Sequence, residues 1–275
     1  MAMFRPVTVI TGASAGIGRE LARVFAGAGH EVLLVARREP QLAALADEIT
    51  NAGHPTPHVV AVDLTRGDGT ALLGHEVAAR GLEPAYVVNN AGFGLFGPAI
   101  DLERAEQLAM IDLNIRTLTD LSLRWGDSLV RHKGGILNVA SIAAFLPGPG
   151  MAVYYATKAY VLSFSEALHH EFARDGVRVT ALCPGPVRTE FQARAGIGAE
   201  QFSRWLARTP EQVAREGFDG LMRGRRVVVP GFANRIVTLL PRLLSRGAVL
   251  RLMGRRFERG RPSTRPEVRW RRRAS

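Results

Sequence analysis

Ser141, Tyr154 and Lys158 follow one another at spacings of 13 and 4 residues. A tyrosine and a lysine at i and i+4 share one helix face, so a phenol and an ammonium can work at a common point. An unperturbed phenol titrates near pH 10, too high for a good base near neutrality, and a close ammonium favours its ionised form. Such a pair can move a proton to or from an oxygen held beside it. Only Lys133 and Lys158 are lysines among the 36 lysines and arginines. A lysine kept in so arginine-rich a chain marks a place where a broad guanidinium would not serve. Tyr155 and Tyr160 lack the spacing to Lys158 and read as packing residues.

The elements that must carry these side chains show in the hydrophobic rhythm. Short β-branched runs at 7–11, 31–36, 58–63, 85–89, 135–141, 177–183 and 226–229 read as strands. Helix-period segments lie between them, at about 16–29, 39–53, 68–80, 101–132, 152–174 and 209–223. The last has a capping-box start, with Thr209 as N-cap, Pro210 at the first helical position and Gln212 two residues on. This alternation predicts a Rossmann-type α/β fold: a doubly wound, seven-stranded, mainly parallel sheet with helices on both faces. Ligands of such sheets bind at the carboxyl ends of the strands.

The first strand runs into Thr11-Gly12-Ala13-Ser14-Ala15-Gly16-Ile17-Gly18 and then a helix. Glycines there let the backbone approach a pyrophosphate at the helix N-terminus, which points to a dinucleotide. The second strand ends Val35-Ala36-Arg37-Arg38, without the acidic residue that holds a ribose 2′-hydroxyl in NAD sites. Two cations at that point favour the 2′-phosphate of NADP(H).

Together with Asn89-Asn90-Ala91-Gly92 after the fourth strand, these segments resemble the short-chain dehydrogenase/reductase family over about residues 6–231. The resemblance implies hydride transfer between a nicotinamide and a carbonyl/alcohol pair. Tyr154 would be the acid/base, and Ser141 would hydrogen-bond the substrate oxygen. Lys158 would bond the nicotinamide ribose, and Asn114 would hold a water that relays protons to Lys158. It further implies that Gly12, Ser14, Gly16, Ile17, Gly18, Arg37, Arg38, Asp63, Leu64, Asn90, Ala91 and Gly92 meet the cofactor. In Pro184-Gly185-Pro186-Val187-Arg188-Thr189, which matches a PGxxxT segment, Pro184, Gly185, Val187 and Thr189 would meet it as well. Relatives of this kind pair through their fourth and fifth long helices, so a dimer or tetramer is expected.

Composition bounds the rest. One cysteine, Cys183, in an apolar run excludes an internal disulfide and points to a reducing, cytoplasmic setting. No stretch reaches the roughly 20 apolar residues that span a bilayer. The net charge of +11 is concentrated in residues 251–275, which hold ten arginines and two glutamates. The expected organisation is a domain over 1–233, an amphipathic extension over 234–254 and an arginine-rich tail over 255–275. No groove motif accompanies the charge, which argues against a nucleic-acid arm. No His/Cys cluster has metal-ligand spacing, and no nucleophile elbow appears.

In the family, the segment matching 190–224 forms a lid and substrate wall. Its Phe191, Phe202, Trp205, Phe218 and Met222, with Leu95, Phe96, Leu146 and Pro147, favour a hydrophobic carbonyl compound, although several could equally be core. In 234–253, leucines alternate with Arg235, Arg242, Arg246 and Arg251, and Pro241 and Gly247 would interrupt a single helix. Two readings stand for this extension: a cover over the substrate pocket, or a segment lying on an anionic membrane surface or partner. Three functions compete for the whole chain. They are an NADPH-dependent reductase of a hydrophobic ketone or aldehyde (or the reverse alcohol dehydrogenase), a 3-oxoacyl-carrier-protein reductase, and a non-catalytic NADP-binding sensor or scaffold.

Overall fold

Side chains along the inner strands point alternately to two faces, and both faces are apolar. The computed structural model describes residues 4–197 and 206–259. On β1 (Arg5–Thr11) and β2 (Val32–Ala36), Ile10 and Leu34 face one way, into a core with α1 (Gly16–Gly27), α2 (Glu39–Asn51) and α9 (Pro210–Met222). Val9 and Leu33 face the other way, against α3 (Gly69–Ala79) and the helices that follow it up to residue 172. A sheet buried on both faces has no polar side, so its strands read as continuous apolar runs.

With β3 (His58–Ala61), β4 (Leu82–Asn89), β5 (Gly135–Val139), β6 (Arg178–Leu182) and β7 (Val227–Val228), the seven strands lie in the order β3-β2-β1-β4-β5-β6-β7. Every pairing is parallel. The order reverses between β1 and β4, which opens a crevice at their carboxyl ends.

Several expected boundaries move. The helix expected over 101–132 is broken into α4 (Arg104–Ile111), a π-helical turn (Asp112–Thr117), α5 (Leu118–Arg124) and α6 (Gly126–His132). The π turn carries Asn114, whose amide bonds the backbone of Phe93 and the Thr157 hydroxyl; a tertiary anchor fixes this irregularity, and no local signal marks it. The fifth strand stops at Val139, and Ser141 instead caps a 3₁₀ turn over Ile142–Phe145. The third strand stops at Ala61, which leaves Asp63 in a loop. The Thr209 capping box forms as expected, with Thr209 and Gln212 bonded reciprocally.

The extension folds as two helices, α10 (Phe232–Leu243) and α11 (Arg246–Arg259). Pro241 lies inside the last turn of α10 and Gly247 inside the first turn of α11, and the chain breaks at Leu244 and Ser245. The expected tail boundary at 254/255 is crossed by α11. Phe202, Trp205 and the chain beyond Arg259 lie outside the described residues.

Candidate active site

Backbone geometry builds the first part of the crevice. Gly12 has φ +67°, in the left-handed region, and an added Cβ there would stand 2.7 Å from Asn90 Nδ2. The Asn90 side chain ties β4 to the turn: its Nδ2 donates to the carbonyls of Thr11 (2.9 Å) and Gly12 (3.3 Å). The backbone N–H groups of Asn90 and Ala91 both donate to Thr11 Oγ1, at 3.0 Å. Asn90 therefore shapes the glycine turn. No side chain caps the start of α1, whose N-cap is Ala15, so its first N–H groups face the crevice uncovered by any cap. A Cβ on Gly18 would lie 2.3 Å from both Asn90 Nδ2 and the Gly12 carbonyl oxygen. Gly18→Ala is therefore expected to cost about 1–3 kcal/mol of stability, read from the denaturant midpoint. An unchanged midpoint would show that the turn relaxes freely.

The next stretch is cationic. Arg38 donates to Ser14 Oγ (3.1 Å) and pairs with Glu190 (2.9 Å), while Arg37 stands 3.9 Å from Asp63. Burial pushes the Asp63 carboxyl up, but two bonds from Thr65 and the guanidinium of Arg37 more than offset this and hold it below the usual carboxylate range. Arg194 stacks on the Phe93 ring at 4.3 Å and joins Arg37 and Arg38 on the same wall. Sequence reasoning did not single out Arg194, because its approach depends on how α8 (Glu190–Ala195) folds back over the crevice. Leu64 and Ile17 complete this wall.

Ser141, Tyr154 and Lys158 line the cavity at the ends of β4 and β5. A chain of buried amides and hydroxyls holds them there: Asn89 donates to Ser122 and Asn138, and Asn138 to Ser165, each at 2.9 Å. This chain locks α5 and α7 (Ala152–Phe172) to the two strands. On α7, Lys158 is 6% exposed, and its Nζ donates to the Val139 carbonyl at 2.8 Å. Its Nζ lies 5.8 Å from the centre of the Tyr154 ring. A Cβ on Gly92 would come within 2.9 Å of Asn114 Oδ1 and 3.6 Å of Lys158 Nζ, so Gly92 leaves the room in which these groups converge. Ser141 Oγ donates to the Pro184 carbonyl (3.4 Å) and accepts from the Ala143 N–H (3.1 Å).

The electrostatics differ from the expectation for Tyr154. Burial pushes its phenol well above the ordinary value, and the bond with Ser141 pulls back only in part. The lowering expected from Lys158 does not appear, because burial acts on the lysine too and brings its ammonium down to about 8. Burial also pushes the Cys183 thiol up to about 12, consistent with a small buried hydrophobe.

At the far end, Thr189 caps α8 by accepting from the Phe191 N–H (3.3 Å), and Val187 bridges Arg208. Pro184, Gly185, Val187 and Thr189 all line the same cavity as the glycine turn, Ser141, Tyr154 and Lys158. That cavity has a volume of about 770 Å³.

Its outer half is apolar. Phe96, Leu146, Tyr155 and Phe191 line it, and so do Val237, Leu240, Val249 and Phe257 from the extension. The pocket-cover reading of α10 and α11 therefore holds for their inner faces. Phe257 packs on Gly150 and meets Phe96 ring to ring at 5.5 Å. It falls in what the sequence suggests is a solvated tail, and no periodicity could have placed it here. Four expected wall residues belong elsewhere: Phe218 and Met222 pack in the core, Phe218 edge-on to Phe25 at 4.9 Å. Leu95 packs against the opposite core, and Pro147 does not line the cavity. Tyr155 lines the cavity beside Tyr154, whereas Tyr160 bonds Thr119 on the outside of α7. Among the described residues no group of three or more His, Cys, Asp or Glu could hold a metal ion.

A glycine-lined crevice at the topological switch point, sharing one cavity with Ser141, Tyr154 and Lys158, marks the chain as a Rossmann-type α/β protein with a nucleotide crevice. The family model for short chain dehydrogenases matches residues 6–199, and the chain belongs to that family. It is 36% identical over 188 residues to sulfoacetaldehyde reductase 2 of Chromohalobacter salexigens, covering 67% of this chain and 74% of that protein. A short-chain dehydrogenase from Sphingobium yanoikuyae in complex with NADPH superposes with a TM-score of 0.76 at 30% identity, covering 95% of this chain and 99% of the other. A 7β-hydroxysteroid dehydrogenase structure superposes with a TM-score of 0.81 at 26% identity, over 90% and 96% of the two chains.

Proposed function

We propose that the protein is an NADPH-dependent reductase of a hydrophobic ketone or aldehyde. The observation that carries this is a single cavity with Ser141, Tyr154 and Lys158 at its centre, a cationic wall at one end and an apolar vault at the other. The crevice fits a dinucleotide: its glycine turn excludes Cβ atoms, and the start of α1 has no side-chain cap. Gly12, Ser14, Gly16, Ile17 and Gly18 would hold the pyrophosphate side. Arg37 and Arg38 would hold a 2′-phosphate, with Asp63 and Leu64 beside the adenine. Asn90, Ala91, Gly92, Pro184, Gly185, Val187 and Thr189 would shape the nicotinamide end. When bound, the cofactor supplies the hydride.

The chain's own residues handle the proton. Ser141 Oγ orients the substrate oxygen, and Tyr154 donates its phenolic proton to that oxygen as it gains charge. A phenol kept protonated by burial suits the reducing direction, in which it begins as the acid. Lys158 holds the ribose and re-supplies the proton, and Asn114 positions the π turn behind it. The exposed Leu108, Ile111, Leu123 and Tyr160 on α4, α5 and α7 support pairing of those helices with a second copy.

Reduction needs the charged form of Lys158. With its ammonium brought down to about 8, that form dominates below this pH and is lost above it. The kcat/KM for reduction should therefore fall as pH rises through about 8, by up to about tenfold per unit. Lys158→Arg stays charged, so its residual activity should lack this limb. A wild-type profile flat past about pH 9 would remove Lys158 from the titrating step.

The test of the function is NADPH oxidation against a panel of lipophilic ketones, aldehydes and acyl thioesters, with NADH in parallel. Turnover of lipophilic ketones or aldehydes with NADPH supports the proposal. Turnover of acyl thioesters alone would reassign the enzyme to carrier-bound acyl chains. Tight NADPH binding without any turnover would favour a non-catalytic sensor.

A further inference from the structure

The two faces of α10 differ in what they meet. Val237, Leu240 and Leu244 line the cavity. Beside that face, Phe232, Ile236, Leu239 and Leu243 follow at i, i+4, i+7 and i+11, which sets them in one stripe along the helix. They are 77%, 50%, 45% and 80% exposed. Exposed large apolar side chains in a contiguous row mark an interaction surface rather than ordinary scatter.

The charge around the stripe indicates what it meets. Arg235 and Arg242 flank it on one side, both exposed, and the exposed Arg246, Arg251 and Arg255 continue along α11. Between Gly220 and Phe257 there are nine arginines and no acidic residue. An apolar stripe edged by long cationic side chains suits the boundary of an anionic bilayer, where the stripe enters the acyl region and the guanidinium groups stay among the headgroups.

The stripe also adjoins the cavity. Leu244 and Leu252 line the cavity and are themselves 41% and 52% exposed, so the rim of the cavity carries apolar side chains that also face outward. We propose that α10 and the start of α11 dock on an anionic lipid surface, so that a membrane-dissolved carbonyl compound reaches Tyr154 without crossing water. This rests on the reading that the substrate is lipophilic. The docking test reads no turnover, so its failure leaves the reductase assignment standing.

The full-length protein is sedimented with phosphatidylcholine vesicles, with and without about 30% phosphatidylglycerol. The wild type should bind the anionic vesicles, less strongly at high salt, and leave the neutral ones in the supernatant. Phe232→Ser/Leu243→Ser keeps every arginine and alters only exposed side chains, so NADPH binding should persist while vesicle affinity drops about tenfold or more. In Leu243→Trp, the added indole emission should shift to the blue on anionic vesicles and be quenched by brominated acyl chains. Three results would each overturn the proposal. The serine variant could sediment like the wild type, leaving binding to the arginine tail alone. The Leu243→Trp emission could stay unchanged on vesicles. Or the wild type could ignore vesicles and form a dimer that the serine variant breaks, which would give the stripe to a second copy.

Discussion

Tyr154→Phe is expected to lower kcat for carbonyl reduction by about 10²–10⁴-fold, the usual worth of a positioned general acid. The ring should stay in place, because it is held by packing against Phe191, at 5.4 Å between centroids, and against Gly94. Only the hydroxyl is removed. Ser141 keeps its bonds to Pro184 and Ala143, and Lys158 keeps its bond to Val139, so NADPH affinity should move by less than about threefold. Stopped-flow NADPH oxidation gives the first quantity and titration of nucleotide fluorescence the second. Full turnover in this variant would sink the mechanism. Loss of nucleotide binding in parallel with turnover would show that Tyr154 acts through the fold of the crevice and not through its proton.

The second large effect concerns the choice of nucleotide. Arg37→Ala/Arg38→Ala should raise the KM for NADPH by about 10–100-fold, since a charge-assisted hydrogen bond is worth about 1.5–3 kcal/mol. The KM for NADH, which has no 2′-phosphate, should change little. Arg38 is the stronger contributor on geometry: it already bonds Ser14 on the glycine turn and pairs with Glu190 at 2.9 Å. A 2′-phosphate must take over the guanidinium that Glu190 now engages. Glu190→Gln weakens that competition, so it should tighten NADPH binding modestly, in the opposite direction to the arginine variants. Equal losses for NADPH and NADH in the double alanine variant would mean that the arginines serve the fold of the crevice rather than phosphate recognition.

Much of the architecture was legible because its causes are local. Parallel strands buried on both faces need continuous apolar runs. The tight turn after β1 needs Gly12, because only glycine takes φ +67° without strain beside Asn90. The reciprocal Thr209–Gln212 bonds lie within one helical turn, and so does the Tyr154–Lys158 pair. Spacing along the chain is spacing in space over such short distances, so these features could be read directly.

What could not be read depends on segments far apart in sequence. The helix expected over 101–132 widens into a π turn at Asn114, whose side chain bonds Phe93 and Thr157, neither of them a neighbour in the chain. The titration of Tyr154 and Lys158 follows from burial under distant elements, which outweighs the pairwise effect that their spacing suggests. Phe218 and Met222 share the apolar character of Phe191, yet α9 turns them into the core while α8 turns Phe191 toward the cavity. Phe257 reaches Gly150 and Phe96 only because α10 and α11 fold back over the mouth of the crevice. Sequence alone therefore determined the sheet, the glycine turn and the shared helix of the Tyr154 and Lys158 groups, all set by backbone conformation and short-range spacing. The environment of those groups and the walls of the substrate cavity were decided by tertiary packing, because a hydrophobic side chain carries no local mark of which surface it will cover.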